Sequence, residues 1–279
     1  MFENLSYKQI VSIIRQYDTE GHSPLQVLAD DFTAYVLKFP NNSNDNSALI
    51  KEFICHYLLK TWSIPTPDIV GLTVLPEVLK ECQFITSREK RLVGSCTCFG
   101  SKLLLNSIEL MDFITAENKT SQKKILNSTD ILKIGLFDIW TENEDRKPSN
   151  NNILLEHSKK GFILNPIDHA FTFSSVEFSE LNYNNVNFSV NDSILYAPLA
   201  KSIIEKTKFD NAACSHIKEM FYLCIENAKN NYCKIADNVP VNLNFADNDE
   251  AFLSKFLFNK ERNIAVLEEF FYIISTLKK

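Results

Sequence analysis

Residues 138–169 read DIWTENEDRKPSNNNILLEHSKKGFILNPIDH, and the order of polar and apolar residues in this stretch decides how the rest of the chain is interpreted. Asp145 is followed five positions later by Asn150. An apolar run, Ile153-Leu154-Leu155, then leads through a polar turn from His157 to Gly161 into a second run, Phe162-Ile163-Leu164, that ends at Ile167-Asp168-His169. Two short apolar runs around a polar turn predict a β-hairpin. Such a hairpin brings Asn150 in at the start of one strand and returns Asp168 at the end of the other, so two oxygen donors and a carboxylate meet at one mouth. Hard cations such as Mg²⁺ take oxygen ligands, and a carboxylate beside a hydroxyl can orient it or accept its proton. These are the parts that phosphoryl transfer needs. A lone D-x-x-x-x-N is usually a solvated turn; the apolar strand leading into Asp168 is what gives this one weight.

The chain has 279 residues, 45% of them apolar, enough for one or two cores and for a two-lobed protein. No apolar run has the length of a transmembrane helix, and the N-terminus MFENLSYKQI lacks the basic-then-apolar pattern of a signal peptide, so a cytoplasmic location is expected. The seven cysteines, at 55, 82, 96, 98, 214, 224 and 233, sit mostly in apolar surroundings and are expected to be reduced core residues. Cys96-Thr97-Cys98 has no second pair or nearby His to complete a zinc site. A net charge of -6 without a basic cluster argues against binding nucleic acid or an anionic membrane, whereas a phosphate site needs only local positive charge.

Ahead of the hairpin, residues 5–17 place Leu5, Ile10, Ile13, Ile14 and Tyr17 at spacings that suit either a short helix or a strand. Gly21-His22-Ser23-Pro24 is a turn, and Leu25–Leu28 and Thr33–Phe39 are two strands joined by an acidic turn. Ser47 to Trp62 repeats apolar residues at three and four, which predicts an amphipathic helix ended by Pro65 and Pro67. Two short apolar stretches follow, and Lys102–Ile114 has helical spacing, with a polar surface loop after it. Asp130–Trp140, apolar on nearly every side, predicts a buried helix whose Asp138 bonds to loop backbone. Beyond residue 196 the pattern is helical, with a cap at Asp210 or Asn211. One apolar stripe there runs from Cys214 to Ile225, and a last one holds Ile264, Leu267, Phe270, Phe271 and Ile274.

The run from Asp138-Ile-Trp through Asn143-Glu-Asp145-Arg146, Asn150-Asn-Asn-Ile-Leu-Leu and Ile167-Asp168-His169 resembles the HipA-like kinases, which are distantly similar to phosphatidylinositol kinases. The resemblance implies an α+β, two-lobed protein-kinase-like fold. A small sheet-rich nucleotide-binding lobe would occupy residues 1–95 and a mostly helical catalytic lobe residues 96–279, with the hinge within 92–101. It implies ATP and Mg²⁺ as cofactors, Asp145 as the catalytic residue, and Asn150 and Asp168 as metal ligands. Lys38 would contact the phosphates, held by Glu52 on the following helix. With six glycines in the chain there is no G-x-G-x-x-G, so Gly21, His22 and Ser23 would cover the phosphates by backbone amides and one hydroxyl. The implied acceptor is Ser or Thr of a protein substrate, with an antitoxin-like protein as a further partner. The rival readings are a small-molecule or lipid kinase, and a pseudokinase acting as an interaction module in a toxin-antitoxin or phage-defence setting.

Overall fold

Alternation with a period of two builds the first part of the structure, a computed structural model that describes residues 3–18, 23–42, 45–116, 124–189 and 193–279. Along β2 (Leu25–Ala29) and β3 (Ala34–Lys38) the buried positions are Leu25, Val27, Ala29, Tyr35 and Leu37, with half-buried residues between them. β1 (Tyr7–Gln16), β4 (Ile69–Val74) and β5 (Cys98–Lys102) complete a closed barrel in the order β1-β2-β3-β5-β4. Parallel pairing of β1 with β4 closes it, which leaves no open sheet edge. Its interior holds Ile10, Ile13, Val27, Leu37, Leu72 and Cys98. At Gly100 the walls are so near that a Cβ would lie 2.4 Å from Leu72 Cδ1, so a side chain there would displace Leu72.

The stretch that suits helix or strand by spacing is β1. Register shifts between Ile10 and Ser12, and between Ile13 and Arg15, interrupt its pairing with β2. Each bulge adds a residue, so Ile10 and Ile13, three apart, both reach the interior. A bulged strand can therefore copy helical spacing.

Helix α1 (Ser47–Thr61) follows β3. Between β4 and β5 lie α2 (Pro76–Glu81) and α3 (Ser87–Ser95), the latter opened by a complete capping box between Thr86 and Glu89. Residues 92–101, where the hinge is expected, form the end of α3 and most of β5. Lys102–Ile114 is not one helix. Lys102 ends β5, Ile108–Glu109 is β6, and α4 (Leu110–Ala116) starts only then. Asn106, in the left-handed region at φ 60°, cannot continue a right-handed helix. Most of the expected loop after it, residues 117–123, lies outside the described residues.

The chain forms two compact units: Met1–Tyr57 with Pro67–Leu104 and Cys233–Phe245, and Leu58–Thr66 with Leu105–Tyr232 and Ala246–Lys279. In the first, a late segment joins α1 and the residue before it, since Tyr57 Oη donates to Asn238 Oδ1 at 3.3 Å and Asn46 Nδ2 to the Leu243 carbonyl at 3.3 Å. In the second, α5 (Asp130–Thr141) is buried from Ile134 onward and half-buried at Asp130, Leu132 and Lys133, close to what its sequence predicts. Trp140 stacks on Trp62 at 5.2 Å, and Trp62 meets Phe137 and Phe221 edge-on at 5.3 and 5.8 Å. The Trp140 indole N–H donates to the Leu257 carbonyl at 3.0 Å, which removes an otherwise unpaired buried donor. Helices α6 (Pro198–Lys206), α7 (Asn211–Asn230), α8 (Tyr232–Asp237), α9 (Asp247–Phe258) and α10 (Lys260–Leu277) complete the chain. Asp210 caps α7 by accepting from Ala213 N at 3.0 Å. Two expectations need correction: Ile264, expected in the core stripe, is about half exposed, and Cys233 is an exposed rather than a core cysteine. No described helix is long and apolar enough to cross a membrane.

Candidate active site

Strands β7 (Ile153–Ser158) and β8 (Gly161–Pro166) pair antiparallel from Ser158↔Gly161 to Ile153↔Pro166. With β6 they form a three-stranded sheet in the second unit. One further bond, Ile167 N to the Asn152 carbonyl at 2.9 Å, extends the ladder past the named strands. Residues 150–152 and 167–169 therefore lie side by side at the open end of the hairpin. Asn152 and Asp168 both adopt positive φ, 46° and 59°, a conformation that Asn and Asp tolerate better than other residues with a Cβ.

Within this mouth Asp145 is held by amides. Asn150 Nδ2 and Asn152 Nδ2 each donate to Asp145 Oδ2 at 2.9 Å, and the Asp145 N–H donates to Asn143 Oδ1 at 3.2 Å. Two reciprocal backbone bonds between Lys147 and Asn150, at 2.9 and 3.0 Å, close the tight loop between them. Because Asn150 directs its nitrogen at Asp145, its oxygen is the atom left to meet a cation. Asn150 Oδ1 and the Asp168 carboxylate are hard donors of the kind Mg²⁺ takes, and Mg²⁺ is commonly held by one or two such side chains with phosphate and water completing its shell. The residues present fit that ion.

Arg146, next to Asp145, is fully buried and joins the two sides of the mouth. Its guanidinium donates to Asp138 Oδ1 on α5 and to the Ile167 carbonyl at 2.8 Å, and lies 3.2 Å from His169 Nδ1. Ile167 and His169 flank Asp168, so Arg146 fixes that turn to α5. The Asp138 carboxylate is thus paired with a side chain and with Asn143 Nδ2 at 3.3 Å, not with loop backbone as expected. An arginine presents a fork of donors that loop backbone cannot match for a buried carboxylate. Burial pushes Asp138 up to about 7, against the opposing pull of Arg146 and Asn143.

A second buried ion pair anchors the start of the loop. Glu142 ends α5 in the left-handed region at φ 48°. It accepts from Arg262 of α10 at 2.9 Å, from Asn187 N at 3.0 Å and from Ser174 Oγ. Arg262 also donates to the Trp140 carbonyl at 2.9 Å and lies 3.5 Å over the Phe256 ring.

In the first unit, the alternation of β3 turns Tyr35 and Leu37 into the barrel and Lys38 to the opposite face. Phe99, the register partner of Lys38, packs edge-on against Phe53 of α1 at 5.1 Å. One residue before Phe53, Glu52 Oε1 lies 2.5 Å from Lys38 Nζ, with the Glu52 side chain only 2% exposed. Ser23 and Lys38 both line a cavity of about 570 Å³ in this unit. Gly21 and His22 lie outside the described residues.

The structure thus brings together Asp145 with Asn150, and Lys38 with Glu52, and sets Asp168 beside the Asn150 loop. Asn152 and the Glu142–Arg262 pair are missing from the sequence reading. Only the run of three asparagines before a strand hinted at Asn152, and nothing in the sequence links Arg262 to a residue 120 positions earlier.

The chain has a kinase-like fold, with a Lys–Glu pair between β3 and α1 and with Asp145, Asn150 and Asp168 at the open end of the β7–β8 hairpin. The crystal structure of the Helicobacter pylori proinflammatory kinase CtkA is similar over 98% of this chain and 99% of that one, with a TM-score of 0.56 at 14% identity. The golgi casein kinase structure aligns over 96% of this chain and 74% of its own, with a TM-score of 0.45 at 12% identity. No curated protein matches the sequence. The chain belongs to the HipA-like kinase family, whose model matches residues 10–263.

Proposed function

We propose that this chain is an ATP- and Mg²⁺-dependent kinase that transfers the γ-phosphoryl group to the hydroxyl of a protein Ser or Thr. On this reading it has the two-lobed kinase organisation, residues 1–95 serving the nucleotide and residues 96–279 the chemistry. The observation that carries it is the grip of Asn150 and Asn152 on Asp145 Oδ2, both at 2.9 Å, at the mouth shared with Asp168. Two donors on one oxygen fix the carboxylate plane and leave Oδ1 to take or orient the acceptor's proton. Asn150 Oδ1 and Asp168 would hold Mg²⁺, which when bound neutralises the phosphate charge. Lys38, steadied by Glu52, would contact the phosphates, with Ser23 and the turn residues Gly21 and His22 covering them.

One observation favours a second reading, a pseudokinase acting as an interaction module beside an antitoxin-like partner: six glycines and no glycine-rich loop. Incubation with labelled ATP and Mg²⁺, followed by mass spectrometry, separates the two. The kinase reading expects ADP release and phosphate on Ser or Thr of the protein itself or of added protein. Neither product in the presence of Mg²⁺ would favour the module, and ADP release with label only on a small molecule would favour a small-molecule kinase.

A further inference from the structure

The cavity of the first unit is lined by Ser23, Lys38, Phe39, Thr86, Arg88 and Leu92, among others. Its volume of about 570 Å³ falls in the range of small-molecule sites. We propose that Arg88 is a second phosphate-contacting cation, and that this cavity, whose lining includes both Lys38 and Arg88, takes the polyphosphate arm of the nucleotide. The inference rests on the nucleotide-binding reading above and adds to it a residue on α3.

Three observations carry it. First, Lys38 shares its charge with Glu52 at 2.5 Å, so it offers the cavity less than a full uncompensated cation. Secondly, a kinase without a glycine-rich loop has fewer backbone amides to cradle phosphates, which raises the demand for side-chain donors. Thirdly, Arg88 is held ready to supply them. It lies in the first turn of α3, whose backbone is fixed by the capping box of Thr86 and Glu89. Its guanidinium is oriented by one bond, to the Asn41 carbonyl at 2.9 Å. A guanidinium has five donors in a planar fork that matches phosphate oxygens. Glu89, the acidic group lining the same cavity, is held at the start of α3: its Oε2 accepts from Thr86 N and Oγ1 at 2.7 Å and its Oε1 from Gln16 Nε2 at 2.9 Å. These bonds, with a smaller contribution from the charge of Arg88, hold its carboxyl below the usual range.

Calorimetric titration of the wild type, Arg88→Ala and Arg88→Lys with Mg²⁺-ATP and with adenosine tests this. Arg88 is exposed, so the melting temperature of the unliganded variants should match the wild type. Arg88→Ala should weaken Mg²⁺-ATP binding roughly ten- to a hundredfold, the loss of a charge-assisted hydrogen bond, and leave adenosine affinity unchanged. Arg88→Lys, which keeps the charge without the fork, should recover part of the loss. Equal Mg²⁺-ATP affinity in Arg88→Ala and wild type would overturn the role of Arg88 alone, as would an equal loss for ATP and adenosine. A wild type that binds no Mg²⁺-ATP would sink the nucleotide reading and this inference with it.

Discussion

Asp145 and Asp138 are both carboxylates near Arg146, and their surroundings give them different work. Asp145 receives side-chain amides and Asp138 a buried guanidinium. If Asn152 positions Asp145 for the acceptor, Asn152→Ala should lower turnover roughly tenfold, about the value of one hydrogen bond to a charged group, while Mg²⁺-ATP affinity stays near the wild type. Steady-state kinetics beside a binding titration checks this; a loss in affinity with turnover intact would place Asn152 in binding instead. Asp138 makes a pH prediction. Its folded value of about 7 lies above the ordinary carboxylate value near 4, so between those limits the native state holds a proton that the unfolded state does not. Stability contributed by this group therefore falls as pH rises from about 4 to about 7 and is flat above. Unfolding free energies of wild type and Asp138→Asn, measured at several pH values, should diverge against the wild type across that window. A difference that is constant with pH would show that Arg146 keeps Asp138 ionised throughout. The polar residue types were legible at this scale because Asp168 ends an apolar run and Asp145 and Asn150, five apart, lie in the polar stretch ahead of the hairpin. The amide grip of Asn152 was not, since three successive asparagines look alike until the hairpin register selects among them.

Elements formed by one clean period were the most legible. Helix α5 is apolar on nearly every side and buried from Ile134 onward, and the β7–β8 hairpin pairs as its two runs suggest. Elements whose period is broken by tertiary pairing were not: β1 owes its mixed spacing to bulges, and α3 is short, polar and recognisable mainly by its capping box. The Glu142–Arg262 pair, which joins the end of α5 to α10, belongs with these, because only folding brings two such distant residues together. Arg262→Ala would leave Glu142 charged and uncompensated in the interior, and should cost about 3–5 kcal/mol in urea-induced unfolding. Replacing both partners, as Glu142→Gln with Arg262→Met, should cost less than the sum of the single changes. A single-mutant cost below about 1 kcal/mol would mean that the pair adds nothing beyond its surroundings.

For the whole molecule, membership of the HipA-like kinase family was readable from the residues around Asp145 and Asp168, because the loop and hairpin are local in sequence. The closure of the barrel was not, since it depends on a parallel pairing between β1 and β4 across some sixty residues. Nor was the return of Cys233–Phe245 to the first unit, which no local pattern announces. The central proposal is that Asp145 serves the acceptor and Asp168 the metal. Calorimetric titration of Asp145→Asn and Asp168→Asn with ATP, with and without Mg²⁺ and beside a turnover assay, tests it most directly. Asp168→Asn should bind ATP weakly and almost independently of Mg²⁺, having lost an anionic ligand. Asp145→Asn should still bind Mg²⁺-ATP while turning over roughly 10² to 10⁴ times more slowly. The opposite pattern, binding lost in Asp145→Asn with binding and turnover kept in Asp168→Asn, would contradict the account.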